Sequence, residues 1–74
     1  MLIQLSPNNY LNMDHVIKIE AGNSPAEGCF VVFYHTINAD LKWTKVFYQK
    51  DEVARDAFIQ KIIASYENGD KIIK

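Results

Sequence analysis

The stretch from Cys29 to Tyr48, CFVVFYHTINADLKWTKVFY, decides the fold. Cys29 to Ile37 is apolar or aromatic almost throughout and rich in β-branched and ring side chains, the composition of a central strand with neighbours on both edges. Asn38, Ala39 and Asp40 turn the chain, and Leu41 to Tyr48 resumes the extended pattern, so the two runs read as a hairpin. A two-residue turn needs positive φ at both positions, which suits Asn38 and penalises Ala39. The expectation is therefore a three-residue loop with Asp40 in the left-handed region. In that register Ile37 faces Leu41, Val31 pairs with Phe47, Phe33 with Lys45 and His35 with Trp43. The opposite face then carries Phe30, Val32, Tyr34, Val46 and Tyr48.

Downstream, Asp51 reads as the cap of a helix, with Glu52 and Asp56 adding negative charge near the positive end of its dipole. Phe58, Ile59, Ile62, Ile63 and Tyr66 fall on one stripe at helical spacing, and Arg55 lies one turn before it, where its stem can run along the apolar edge. Asn68 and Gly69 supply a left-handed stop, leaving 70–74 as an apolar-tinged tail. Phe58 and Ile62 are expected against the sheet, on the face of Phe30, Val32 and Tyr34, because the other face contains Lys45.

Upstream, Leu2 to Leu5 reads as a short strand that Ser6, Pro7, Asn8 and Asn9 reverse. Tyr10 and Leu11 offer a brief returning strand, and Asn12 to Asp14 a second turn. His15 to Glu20 alternates with period 2, with His15, Ile17 and Ile19 on the inner face. Ala21 to Gly28 is dense in breakers and reads as a loop. The expected architecture is α+β: a single domain over residues 1–74, with an antiparallel sheet of three to five strands and one C-terminal helix packed on one face.

Composition narrows the function classes. The chain has 74 residues, eight basic and nine acidic, for a formal charge of −1, far from the strong positive field that draws proteins onto phosphate backbones. A single cysteine, Cys29, rules out an intrachain disulfide and favours a reducing compartment. Met1 to Pro7 is too short for the apolar part of a signal peptide, and the apolar run Cys29 to Tyr34 is too short to cross a bilayer. The expectation is a cytoplasmic protein with no membrane association.

Chemistry-bearing motifs are sparse. His15, His35 and Cys29 are the soft metal ligands, and Cys29 and His35 sit six positions apart on one strand face, about 20 Å at ~3.3 Å per residue, too far to share an ion. The same separation argues against a cysteine nucleophile activated by histidine. Asp51, Glu52 and Asp56 have a sufficient structural reason at a helix start. Gly22, Gly28 and Gly69 fit neither a dinucleotide fingerprint nor a phosphate loop. No catalytic residue, metal site or cofactor is expected, and the chain reads as a non-enzyme.

One constellation stands out. Lys42, Trp43, Lys45, Phe47, Tyr48 and Lys50 interleave bases and rings along one strand. Such platforms stack and track single-stranded nucleic acids, and this is the alternative reading. The preferred reading follows from apolar surface, since one helix covers one sheet face while the hairpin is apolar on both. Phe33, Trp43, Lys45 and Phe47 are the expected interaction residues, for a protein partner or a second copy of the chain, with the rings as anchors. The segment Leu11-Asn12-Met13-Asp14-His15-Val16-Ile17-Lys18-Ile19-Glu20 resembles a stretch of small FlbD-like bacterial flagellar proteins, which are similar in length and end in a helix. That resemblance implies a small bacterial regulatory or adaptor protein rather than an enzyme.

Overall fold

The computed structural model describes residues 1–73. The chain runs through β1 (Leu2–Ser6), β2 (Asn9–Asn12), a 3-10 turn (Met13–His15), β3 (Val16–Ser24), β4 (Gly28–Ile37), β5 (Asp40–Gln49), α1 (Glu52–Asn68) and β6 (Ile72–Ile73). The fold class is α+β, mostly antiparallel, with the helix after the hairpin. The strands form two three-stranded sheets, ordered β2-β1-β6 and β3-β4-β5.

The hairpin turns on two residues. Asn38 and Ala39 both adopt positive φ, 52° and 68°, and Ile37 pairs with Asp40. The three-residue loop is thus corrected. An alanine in the left-handed region costs about 1–2 kcal/mol, but this turn matches the right-handed twist of the flanking strands, which a wider loop follows less closely. The register it sets places Phe30 opposite Phe47, Tyr34 opposite Trp43 and Val31 opposite Val46. Aromatic and β-branched cross-strand pairs each add roughly 0.2–1 kcal/mol, enough together to offset the alanine.

Every facing pair shifts with the turn. Phe33 lies opposite Thr44, not Lys45, and is fully buried (0% exposed). The inward face of the large sheet carries Val31, Phe33 and Val46, and Tyr48 packs there too. The sequence expectation placed Phe33 outward and Phe30, Val32 and Tyr34 under the helix; for these four residues the faces are exchanged. In β3 the phase also changes, because the ladder slips between Val16 and Lys18. Ile17 falls in that bulge and is 65% exposed, while Val16 and Ile19 pack on the core. His15 belongs to the 3-10 turn, capped by Asn12, whose side-chain oxygen accepts from the Asp14 N–H at 3.0 Å. β3 continues to Ser24, so the loop expected over Ala21 to Gly28 shortens to residues 25–27.

The helix forms as its sequence dictates. Asp51 Oδ1 accepts from the Ala54 N–H at 2.9 Å. Gly69 ends it in the left-handed region at φ 72°, and the Asp70 N–H returns to the Ser65 carbonyl at 3.0 Å. That reversal directs the tail to the small sheet, where Ile72 and Ile73 pair in parallel with Leu2 and Ile3. The Leu2 N–H donates to the Lys71 carbonyl at 2.8 Å. Residues 72–73, read as tail, are therefore a strand.

Ile3 and Leu11 of the small sheet, Val31 and Phe33 of the large one, Ile62 of the helix and Ile73 of β6 form one buried cluster. Phe58 and Ile59 are half-buried at its margin. The helix and the small sheet thus share one face of β3-β4-β5.

Candidate interaction site

The outward face of the large sheet follows from the two registers. Its rows across β3, β4 and β5 read Lys18, Tyr34, Trp43; then Glu20, Val32, Lys45; then Gly22, Phe30, Phe47. Side chains of directly paired residues share a face, so all nine positions point away from the helix. Trp43 is 65% and Phe47 56% exposed, with Phe30 and Tyr34 half-buried between them and β3.

Glycine shapes the surface at one point. A Cβ on Gly22 would run into the Phe30 ring, so the bare backbone lets that ring lie over β3. Lys45 occupies the middle of the rings. Its Nζ stands 4.5 Å from the centroid of Phe30, 5.7 Å from Trp43 and 5.9 Å from Phe47, and it donates to Glu27 Oε2 at 3.2 Å. Ring faces and carboxylate together hold the ammonium, while the stem covers apolar surface. At the opposite edge Lys18 Nζ pairs with Glu20 Oε2 at 2.9 Å and lies 5.5 Å from the Tyr34 centroid. The Glu20 hydrogen bond, with its charge, holds the Lys18 ammonium above the ordinary lysine value. Glu20, Phe30, Val32, Tyr34, Trp43 and Lys45 line a shallow depression of about 330 Å³.

Of the four expected interaction residues, the structure brings Trp43, Lys45 and Phe47 together on this face and sends Phe33 to the core. Phe30, Val32, Tyr34 and Glu20 join the face without having been singled out. The signal that finds them is the length of the Asn38-Ala39 turn, because a one-residue change in register exchanges the faces. The basic and aromatic strand is divided as well. Lys42, on the parity of Thr44 and Val46, belongs to the other face, so Lys45 is the one lysine of β5 among the rings.

Three other polar side chains singled out in the sequence, His35, Glu52 and Asp56, have structural partners. His35, 8% exposed, shares a hydrogen bond of 3.0 Å between its Nε2 and Thr44 Oγ1. Its ring lines a cleft of about 410 Å³ with Leu5, Tyr10, Leu11 and His15. Glu52 Oε1 accepts from Asn23 Nδ2 at 3.2 Å, and Asp56 Oδ1 from Arg55 Nε at 3.0 Å. Cys29 is a buried free thiol. Among the described residues no three His, Cys, Asp or Glu side chains gather as a metal site, and no helix is long and apolar enough to cross a membrane.

Known protein families, curated proteins and solved structures give no match to this chain.

Proposed function

We propose that the protein is a non-catalytic interaction module whose working surface is the outward face of β3-β4-β5. The observation that carries this reading is the exposure of Trp43 and Phe47 beside Phe30 and Tyr34 on a face the helix leaves open. Large exposed aromatics clustered on one sheet face are what protein interfaces use as anchors, with a polar rim around them. Lys45 and Lys18 already face Glu27 and Glu20. A surface whose charges pair within the chain has little to offer a phosphate backbone, so the balance favours a protein partner over single-stranded nucleic acid.

The test is Phe47→Ser, which removes an anchor and leaves the core intact. Trp43, the sole tryptophan, reports on the same face. In the free protein its emission is expected to be red-shifted and open to quencher, moving blue on complex formation, with Phe47→Ser weakening the complex and leaving the fold unchanged. Blue-shifted, quencher-resistant emission from a chain that sedimentation shows to be monomeric overturns the reading.

A further inference from the structure

We infer that the partner is a second copy of this chain, stacked face to face on the outward sheet surface about a twofold axis parallel to β4. The inference rests on the interaction-face reading and adds the occupant and its geometry. Its basis is the order of side chains in each row. The central row reads Glu20, Val32, Lys45, an acid on one edge strand, an apolar residue in the middle and a base on the other. The rings are distributed on both sides of that row, with Tyr34 and Trp43 in one flanking row and Phe30 and Phe47 in the other. Val32, itself only 6% exposed, therefore marks the centre of a self-complementary face whose contacts are made by the rings and charges around it.

A twofold axis along β4 lays β3 of each copy over β5 of its mate and keeps each row opposite itself, reversed. Glu20 then meets Lys45 of the second copy, and Lys45 meets its Glu20. Lys18 comes over the mate's Trp43, a cation above the best of the ring acceptors. Phe47 comes over the mate's Phe30, the ring that Gly22 allows to lie across β3. The existing pairs Lys18–Glu20 and Lys45–Glu27 join across the contact as an alternating chain of four charges, base, acid, base, acid, and symmetry makes it twice. An axis through the same centre but across the strands stacks Glu20 on Glu20 and Lys45 on Lys45, and like charges brought face to face are costly. Charge thus selects between the two simple ways of stacking the sheets. Sheets packed face to face sit about 10 Å apart at roughly −30°, which turns the axis about 15° from β4 and leaves Val32 at the shared centre.

Within one chain Glu20 pairs with Lys18 and Lys45 with Glu27, so the intrachain salt bridges do not join Glu20 to Lys45. Coupling between them consequently reports on the dimer. Sedimentation equilibrium of the full chain is expected to show a monomer–dimer equilibrium, with Glu20→Lys and Lys45→Glu each weakening the dimer about tenfold or more. The combined variant, which restores opposite charges across the contact, is expected to recover most of the loss. Because Lys45→Glu also faces Glu27 in its own chain, the cycle is repeated with Glu20→Gln and Lys45→Gln, with circular dichroism confirming the fold of each. Losses that simply multiply in both double variants overturn the stacking. A wild-type chain that stays monomeric with Trp43 open to quencher overturns the second copy as partner and leaves the interaction face standing. A monomer with Trp43 buried removes both.

Discussion

The Phe58 ring of α1 stands edge-on to the Phe33 ring of β4, with centroids 6.2 Å apart and planes inclined at 77°. Tyr48 also meets Phe58, with ring centroids 6.0 Å apart. This contact and the burial of Ile62 attach the helix to the sheet, and they set which side chains stability depends on. Ile62 is 3% exposed, so Ile62→Ala is expected to cost about 2–5 kcal/mol, a large part of the stability of so small a protein. Its exposed neighbour Ile63 is expected to tolerate alanine with a change of about 0.5 kcal/mol. Urea unfolding of both variants measures the contrast, and equal losses contradict the packing.

The helix cap gives a smaller effect. Asp51→Ala removes the acceptor for the Ala54 N–H and is expected to cost about 0.5–2 kcal/mol. Asp51→Asn keeps an acceptor and is expected to retain most of that stability. The midpoint of a denaturant titration at constant slope reads both.

The hairpin turn is open to improvement. Ala39 sits at φ 68°, so Ala39→Gly creates an Asn-Gly turn and is expected to stabilise the protein by about 1 kcal/mol, the relief of left-handed strain less the entropy glycine adds to the unfolded chain. A lower melting temperature for this variant counts against the two-residue turn.

Two glycines at positive φ predict unequal costs. Gly69 has open space around a would-be Cβ, so Gly69→Ala meets only the left-handed backbone strain less the entropy alanine removes from the unfolded chain, about 1 kcal/mol. At Gly28, φ 76°, the Cβ would strike the Gln49 carbonyl of the neighbouring strand. Gly28→Ala is therefore expected to cost distinctly more, since backbone rather than a pliable side chain must move. Parallel thermal melts compare them.

Burial raises the Tyr48 phenol above its ordinary value of 10.0. The sign follows from the neutral form being favoured in the folded state: the contribution to stability is fully present below pH 10 and is lost as pH rises through the higher folded value. Tyr48→Phe is expected to flatten that alkaline decline in urea midpoints above pH 10. An unchanged decline assigns it to other groups.

Sequence by itself determined the elements whose causes are local. The helix from Asp51 to Gly69 needs a carboxylate at one end, a left-handed glycine at the other and an apolar stripe between, and all are written in consecutive residues. The hairpin was equally legible as a hairpin. Tertiary structure alone decided the register, because β4 is apolar on both faces and the pattern of Phe30 to Tyr34 is satisfied either way up. The choice fell to the sum of cross-strand pairs against the strain at Ala39, a comparison spread over the whole hairpin. The same holds for Ile72 and Ile73, a tail until Gly69 reverses the chain and β1 offers an edge, and for Ile17, displaced by a bulge that local alternation does not announce. The interaction face was visible in part for this reason. Trp43, Lys45 and Phe47 share one strand and kept their common face, whereas Phe33 reached them only through pairing with another strand, and one residue of slip moved it to the core.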